Sequence, residues 1–254
     1  MAFRKSTMLL GLLVAGQLAA CGKPPPRAPA RRADADYTPP PAVSEVRPAT
    51  GGLMLAGTAP AGLQVRLGAP GGAALFAVAN PQGRWRIDLP AAGDTRIFGL
   101  SEKVGGRQVQ AQGYVVVGAQ GRAALLRAGS GAVRLDPQKP PALGALDFDR
   151  DGAAVVSGAA APGAVIFVRL DGRQVAEGRA DARGRFAVAL PQPIPHGDHS
   201  LEVDGEGFSD TAEVEVSPPA PLVAGPMRSQ FTKAGLRVDW MTPGGGAQST
   251  LLLD

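Results

Sequence analysis

Gly83-Arg84-Trp85-Arg86-Ile87-Asp88-Leu89-Pro90 returns, 101 residues further on, as Gly184-Arg185-Phe186-Ala187-Val188-Ala189-Leu190-Pro191. Ahead of it, with no gap, Ala56-Gly57-Thr58-Ala59-Pro60-Ala61-Gly62-Leu63-Gln64-Val65-Arg66-Leu67 lies over Ser157-Gly158-Ala159-Ala160-Ala161-Pro162-Gly163-Ala164-Val165-Ile166-Phe167-Val168. Glycines, a turn and apolar positions match, which are the features a shared backbone demands. Repeats of about 20–50 residues make solenoids or propellers. A period of 101 denotes two copies of a domain.

Inside each copy the hydrophobic period is two. Trp85, Ile87 and Leu89 alternate with Arg84, Arg86 and Asp88. Leu201 and Val203 alternate with Ser200, Glu202 and Asp204, and Ala212, Val214 and Val216 with Thr211, Glu213 and Glu215. Such alternation marks strands with one buried and one wet face. Pro81-Gln82-Gly83 and Asp171-Gly172 supply turns between them. The second copy reads as about seven strands in roughly 75 residues, which is sandwich spacing. The first copy carries an added excursion near Tyr114–Leu135. With 35 glycines and 24 prolines in 254 residues, long helices are disfavoured, and the fold expected is all-β.

Several segments of the second copy resemble the bacterial Ig-like domain. They are Gly158–Val165, Asp171-Gly172-Arg173, Ala180-Asp181-Ala182-Arg183-Gly184-Arg185-Phe186 and His196-Gly197-Asp198-His199-Ser200-Leu201. The resemblance covers 154–217 and, less fully, 53–117. It implies two tandem Ig-like β-sandwiches, units that occur in bacterial surface and adhesin proteins and ahead of LysM modules. No LysM-like segment follows residue 217 here. The Asp-x-x-Gly-Arg-Phe pattern is also shared by the carboxypeptidase-regulatory-like sandwich.

The N-terminus has a different character. Arg4 and Lys5 precede a mostly apolar run, Met8–Ala20, too short for the roughly 20 residues of a membrane span. The run ends in Leu18-Ala19-Ala20-Cys21, which holds the sole cysteine and resembles a bacterial lipobox. The resemblance implies a signal peptide over 1–20, diacylglyceryl transfer to the Cys21 sulfur, cleavage before Cys21 and acylation of the new amino group. Two or three chains on one residue hold a protein to a bilayer where a single chain binds reversibly. Gly22 in place of Asp implies an outer-membrane destination, with the domains in the periplasm or at the cell surface.

Residues 21–48 read as a lipidated cysteine and a tether, with Pro24-Pro25-Pro26, Pro29, Pro39-Pro40-Pro41 and Pro48 favouring an extended chain. Its arginines can rest on anionic head groups or simply keep the spacer solvated. The Ig-like domains are expected over 49–136 and 143–217. Residues 218–254 read as a Pro-rich join and a C-terminal β-hairpin, in which Leu236, Val238 and Trp240 alternate with Arg237 and Asp239. Two isolated strands are marginal in water. The hairpin is therefore expected to dock on its own chain, with Trp240 in the core, on another protein, with Trp240 as anchor, or on a second copy.

Three patterns bear on chemistry. Asp147-Phe148-Asp149-Arg150-Asp151-Gly152 has the opening of a calcium loop, with Asp147, Asp149 and Asp151 as ligands, but Gly158 stands where the twelfth-position Glu belongs, and the stretch also reads as an acidic turn entering the first strand of the second domain. His196 and His199 form His-x-x-His, two ligands where zinc takes three or four. No Gly-x-Ser-x-Gly, nucleotide-binding or phosphate-loop signature occurs, so neither catalysis nor a cofactor is expected. Residues 49–254 hold 19 basic and 19 acidic side chains, which argues against a nucleic-acid partner. The expected partners are the membrane, through the lipid, and an envelope protein or polysaccharide. The function class is a structural, adhesive or interaction module. The alternative is a ligand- or polysaccharide-binding accessory subunit of an envelope assembly or export system.

Overall fold

The structure is a computed structural model and describes residues 37–254. Leu18, Ala19, Ala20 and Cys21 lie outside the described residues, as does most of the tether. Every regular element among the described residues is a strand. The first sandwich comprises β1 (Ala42–Ala49), β2 (Gly52–Thr58), β3 (Gln64–Gly68), β4 (Ala74–Val78), β5 (Arg84–Pro90), β6 (Arg96–Val104) and β7 (Arg107–Val117). Next come β8 (Ala123–Leu126) and β9 (Val133–Arg134). The second sandwich comprises β10 (Ala142–Asp149), β11 (Ala154–Ala159), β12 (Val165–Leu170), β13 (Arg173–Arg179), β14 (Arg185–Ala189), β15 (Gly197–Gly205) and β16 (Phe208–Val216). The chain closes with β17 (Met227–Thr232), β18 (Gly235–Met241) and β19 (Ala247–Leu253).

The period holds at the level of single atoms. Ala59 N donates to Gly83 O at 2.9 Å, and Ala160 N donates to Gly184 O at 2.8 Å. The turn before β5 is braced by Arg84 N donating to Asn80 Oδ1, and that before β14 by Arg185 N donating to Asp181 Oδ1, both at 2.9 Å. Each sandwich sets three strands on four. In the first, β1-β2-β5 face β4-β3-β6-β7, and in the second, β10-β11-β14 face β13-β12-β15-β16. Leu55, Val65, Leu67, Trp85, Leu100 and Val115 lie in the first core, and Leu146, Val156, Ile166, Phe186 and Leu201 in the second. Each such side chain contributes about 1.5–3 kcal/mol when fully buried.

The segments that break the period join the two sandwiches. Strands β8 and β9 extend one sheet beyond β7, and β19-β18-β17 extend another beyond β10, so both become six-stranded. Their outer faces meet in a third core. Ile97, Val116, Ala124 and Leu126 come from the first sandwich; Ala145, Leu236, Val238, Trp240 and Leu252 come from the second. The two facing sheets are thus buried on both sides, which is why Gly235–Trp240 and Gln248–Leu253 are buried at every position. The polar alternates of β18 are satisfied there. The Arg237 guanidinium donates to Asp239 at 2.9 Å, to Ser217 O at 2.8 Å and to Ser249 Oγ at 3.0 Å. A buried ion pair is tolerated only when its remaining groups find partners in this way.

Strand β1 takes 42–48 out of the expected tether, because Val43 and Val46 turn into the first core despite the flanking prolines. The second sandwich spans 142–216. The C-terminal region holds a third strand, β17, paired to β18 from Met227 opposite Trp240 to Thr232 opposite Gly235. Trp240 is a core residue with no exposed surface. A partner could use it as an anchor only by prising β18 from between two sheets.

Candidate functional site: a cleft between the sandwiches

Beside the third core, where the outer face of β10-β11-β14 runs past the end of its cover, lies a cleft of about 710 Å³. One wall is β1, at Ser44–Arg47; another is the 132–138 segment around β9; the floor is the outer face of β10, β11 and β14. Gly144, Ser157, Gly158 and Ala187 line that floor, with Arg134 lying over Gly144 and Ser157 Oγ donating to Ala132 O at 2.8 Å. Val46 N donates to Leu135 O at 2.7 Å and ties the two walls together.

Five arginines, Arg47, Arg127, Arg134, Arg179 and Arg185, line the cleft against three carboxylates, Glu45, Asp136 and Asp181. Arg134 is structural. It pairs with Asp136 at 2.6 Å and donates to Gly144 O and Leu253 O from a nearly buried position. Arg47 pairs with Glu45 at 2.7 Å. Arg185 is 3.6 Å from Asp181, too far for a hydrogen bond. Arg127 donates to the Gly131 and Ser130 carbonyls at 3.0 and 2.9 Å. Burial first, and the nearby Arg185 charge second, hold its pKa below the usual guanidinium range. Arg179 donates to Gly163 O. These arginines come from separate strands and loops, so the balanced overall charge of the chain concealed their convergence.

Asp147 faces the joint between the sandwiches. It accepts from Ala132 N at 2.6 Å, from Gln248 Nε2 at 3.0 Å and from Thr250 Oγ1. Desolvation pushes its carboxyl up to about 6, against the pull of those hydrogen bonds and of Arg127. Asp149 instead caps its own turn, accepting from Asp151 N at 2.9 Å and Ala153 N at 3.0 Å. Asp151 is exposed. Asp147, Asp149 and Asp151, the carboxylates of the calcium-loop opening, are therefore held apart. Strand geometry buries the first carboxylate between sheets, the second is occupied by backbone, and the three do not converge. His199 Nδ1 lies 2.8 Å from Asp171 Oδ2 and its Nε2 lies 2.9 Å from Pro195 O; His196 Nε2 lies 3.1 Å from Arg150 O. Both histidines brace turns. Among the described residues no group of three or more His, Cys, Asp and Glu is placed to hold a metal.

The bacterial Ig domain family model matches residues 139–223, the second sandwich and the start of the join. Among solved structures, the chain is similar to the BSP domain of a biofilm associated protein at 15% identity and a TM-score of 0.25. That alignment covers 71% of this chain and 30% of the other, so the chain spans under a third of that neighbour. It is also similar to the central fibronectin-III array of RIM-binding protein at 12% identity and a TM-score of 0.27, over 85% of this chain and 89% of the other. No curated protein matches the sequence. The second sandwich is thus Ig-like by sequence and by fold, and the first repeats its strand order.

Proposed function

We propose that this chain is a non-catalytic structural and interaction module of the bacterial envelope, held to the outer membrane by lipid on Cys21. The Ig-like match supports the module, and Leu18-Ala19-Ala20-Cys21 supports the anchor. The observation that carries the mechanical part is the third core. Tandem Ig-like units joined only by a linker would swivel; here two enlarged sheets bury Trp240, Leu236, Val238 and Leu252 between them. The pair presents one rigid body with a fixed cleft on its side. Rigidity of this kind suits a protein that holds a partner at a set distance from a bilayer. The cleft also favours the second reading, an accessory subunit that captures a ligand.

Membrane fractionation tests the anchor. Cys21→Ala should move the protein from the membrane pellet to the soluble fraction, and its retention in the pellet would overturn the anchored reading. Crosslinking in living cells, followed by identification of what is captured, tests the interaction role.

A further inference from the structure

We propose that the cleft between the sandwiches receives an extended, acidic polypeptide segment of another protein. The inference rests on the interaction-module reading and names the partner chemistry. Charge is the first observation. Once the closed pairs of Arg47 with Glu45 and Arg134 with Asp136 are set aside, Arg127, Arg179 and Arg185 face one carboxylate of the lining, Asp181, and Arg127 also feels the buried Asp147. That carboxylate stands 3.6 Å from Arg185 and leaves room for a better-placed acceptor. Arg127 and Arg185 lie close enough to repel one another. A carboxylate placed between them converts that repulsion into charge-assisted hydrogen bonds, which the planar guanidinium makes two at a time.

The shape selects a peptide over a sugar. Gly144 lies beneath Arg134, but Ala187 is exposed and small, so at β14 little side chain stands between the floor and an occupant. Strands β9 and β14, which border the cleft, are the outermost in their sheets, as is β1, whose Val46 N is already taken by Leu135 O. Edge strands pair with added extended chains through main-chain groups. Sugar sites use exposed aromatic faces, and the one aromatic lining this cleft, Phe186, is 4% exposed because its ring points into the second core.

The test is calorimetric titration of the full chain, purified in detergent, with a short polyglutamate peptide. Polylysine and oligogalacturonate of matched length serve as comparisons. Polyglutamate is expected to bind at low salt, to weaken as salt rises, and to bind about tenfold or more weakly when Arg179→Glu and Arg185→Glu are combined. Both side chains are exposed, so the variant should keep the wild-type circular dichroism spectrum and melting temperature. Arg179→Glu alone serves the same purpose if the double variant is unstable. Absence of polyglutamate binding at low salt, affinity unchanged in the variants, or tighter binding of oligogalacturonate would each overturn the proposal. Failure of this titration leaves the membrane attachment of the protein, read by Cys21→Ala, unaffected.

Discussion

Trp240, near the C-terminus, meets Tyr114 of the first sandwich edge to face, with ring centroids 6.0 Å apart and planes at 75°. Its indole nitrogen also donates to Thr250 Oγ1 at 3.1 Å, which in turn donates to Asp147. One side chain thus packs on the first sandwich and is wired to the second. Trp240→Ala should cost about 3–5 kcal/mol, as large-to-small changes in aromatic cores do. It should also divide unfolding. Wild type is expected to melt in one transition and the variant in two, one for each sandwich. A single transition in the variant, by calorimetry and fluorescence together, would show that the coupling of the sandwiches does not depend on Trp240.

Asp147 makes that joint sensitive to pH. Its carboxyl is raised from 3.8 to about 6, with desolvation as the largest cause. The folded chain therefore holds this proton more tightly than the unfolded one does. The resulting stabilisation is complete below about pH 4 and is lost as pH rises through about 6, a swing on the order of 3 kcal/mol. Urea midpoints of wild type and Asp147→Asn, measured from pH 4 to 7.5, should diverge across that window. Parallel curves would mean that the group does not titrate there.

A second buried carboxylate tests the repeat itself. Glu102 stands where the second copy has Val203, and both face a sandwich interior at 1% and 0% exposure. Neither Glu102 oxygen has a hydrogen-bond partner, and burial raises its pKa above 4.5. Glu102→Val should stabilise the first sandwich by about 1–3 kcal/mol at neutral pH, the usual cost of an unpaired buried polar group. The folded chain keeps this proton longer than the unfolded one, so the wild type loses stability as pH rises above about 4.5. The gain from Glu102→Val should accordingly shrink toward acid. A variant less stable than wild type at pH 7 would show that the carboxylate has a role this placement does not reveal.

The two sandwiches were readable in the sequence because each strand of β5 or β16 type has one wet face, and alternation records that face. The joint between them was not. A strand buried on both sides tends to read as a continuous apolar run, and β18 keeps Arg237 and Asp239 only because they pair with one another. Tyr114-Val115-Val116-Val117, Ala123–Leu126 and Leu251-Leu252-Leu253 are such runs, and their lack of period was the available signal of a sheet covered on both faces. Strand β1 was hidden by Pro39-Pro40-Pro41 and Pro48, which bracket it without entering its centre. The cleft left no linear trace, because Arg127, Arg179 and Arg185 converge only after two sandwiches have packed. The lipobox reading rests on four adjacent residues, Leu18-Ala19-Ala20-Cys21, which lie outside the described part of the fold.

The repeated glycine beneath the aromatic ring gives the last prediction. Gly57 sits under Trp85 and Gly158 sits under Phe186. A methyl at Gly57 would fall 1.9 Å from Ala42 O and 2.6 Å from the Trp85 ring, and one at Gly158 would fall 2.2 Å from Ala142 O and 2.6 Å from the Phe186 ring. In each copy the first contact is backbone of the neighbouring strand, which cannot swing aside as a side chain can. Gly57→Ala and Gly158→Ala should therefore each destabilise by about 1–3 kcal/mol through overpacking, although alanine suits a strand better than glycine does. Gly99, on β6 of the first sandwich, is the control. It has open space at the same position and no positive φ. Gly99→Ala should be neutral or stabilising by up to about 1 kcal/mol, because alanine restricts the unfolded chain. If all three variants lose stability equally in urea, close approach of aromatic ring and strand is not what requires glycine in the repeat.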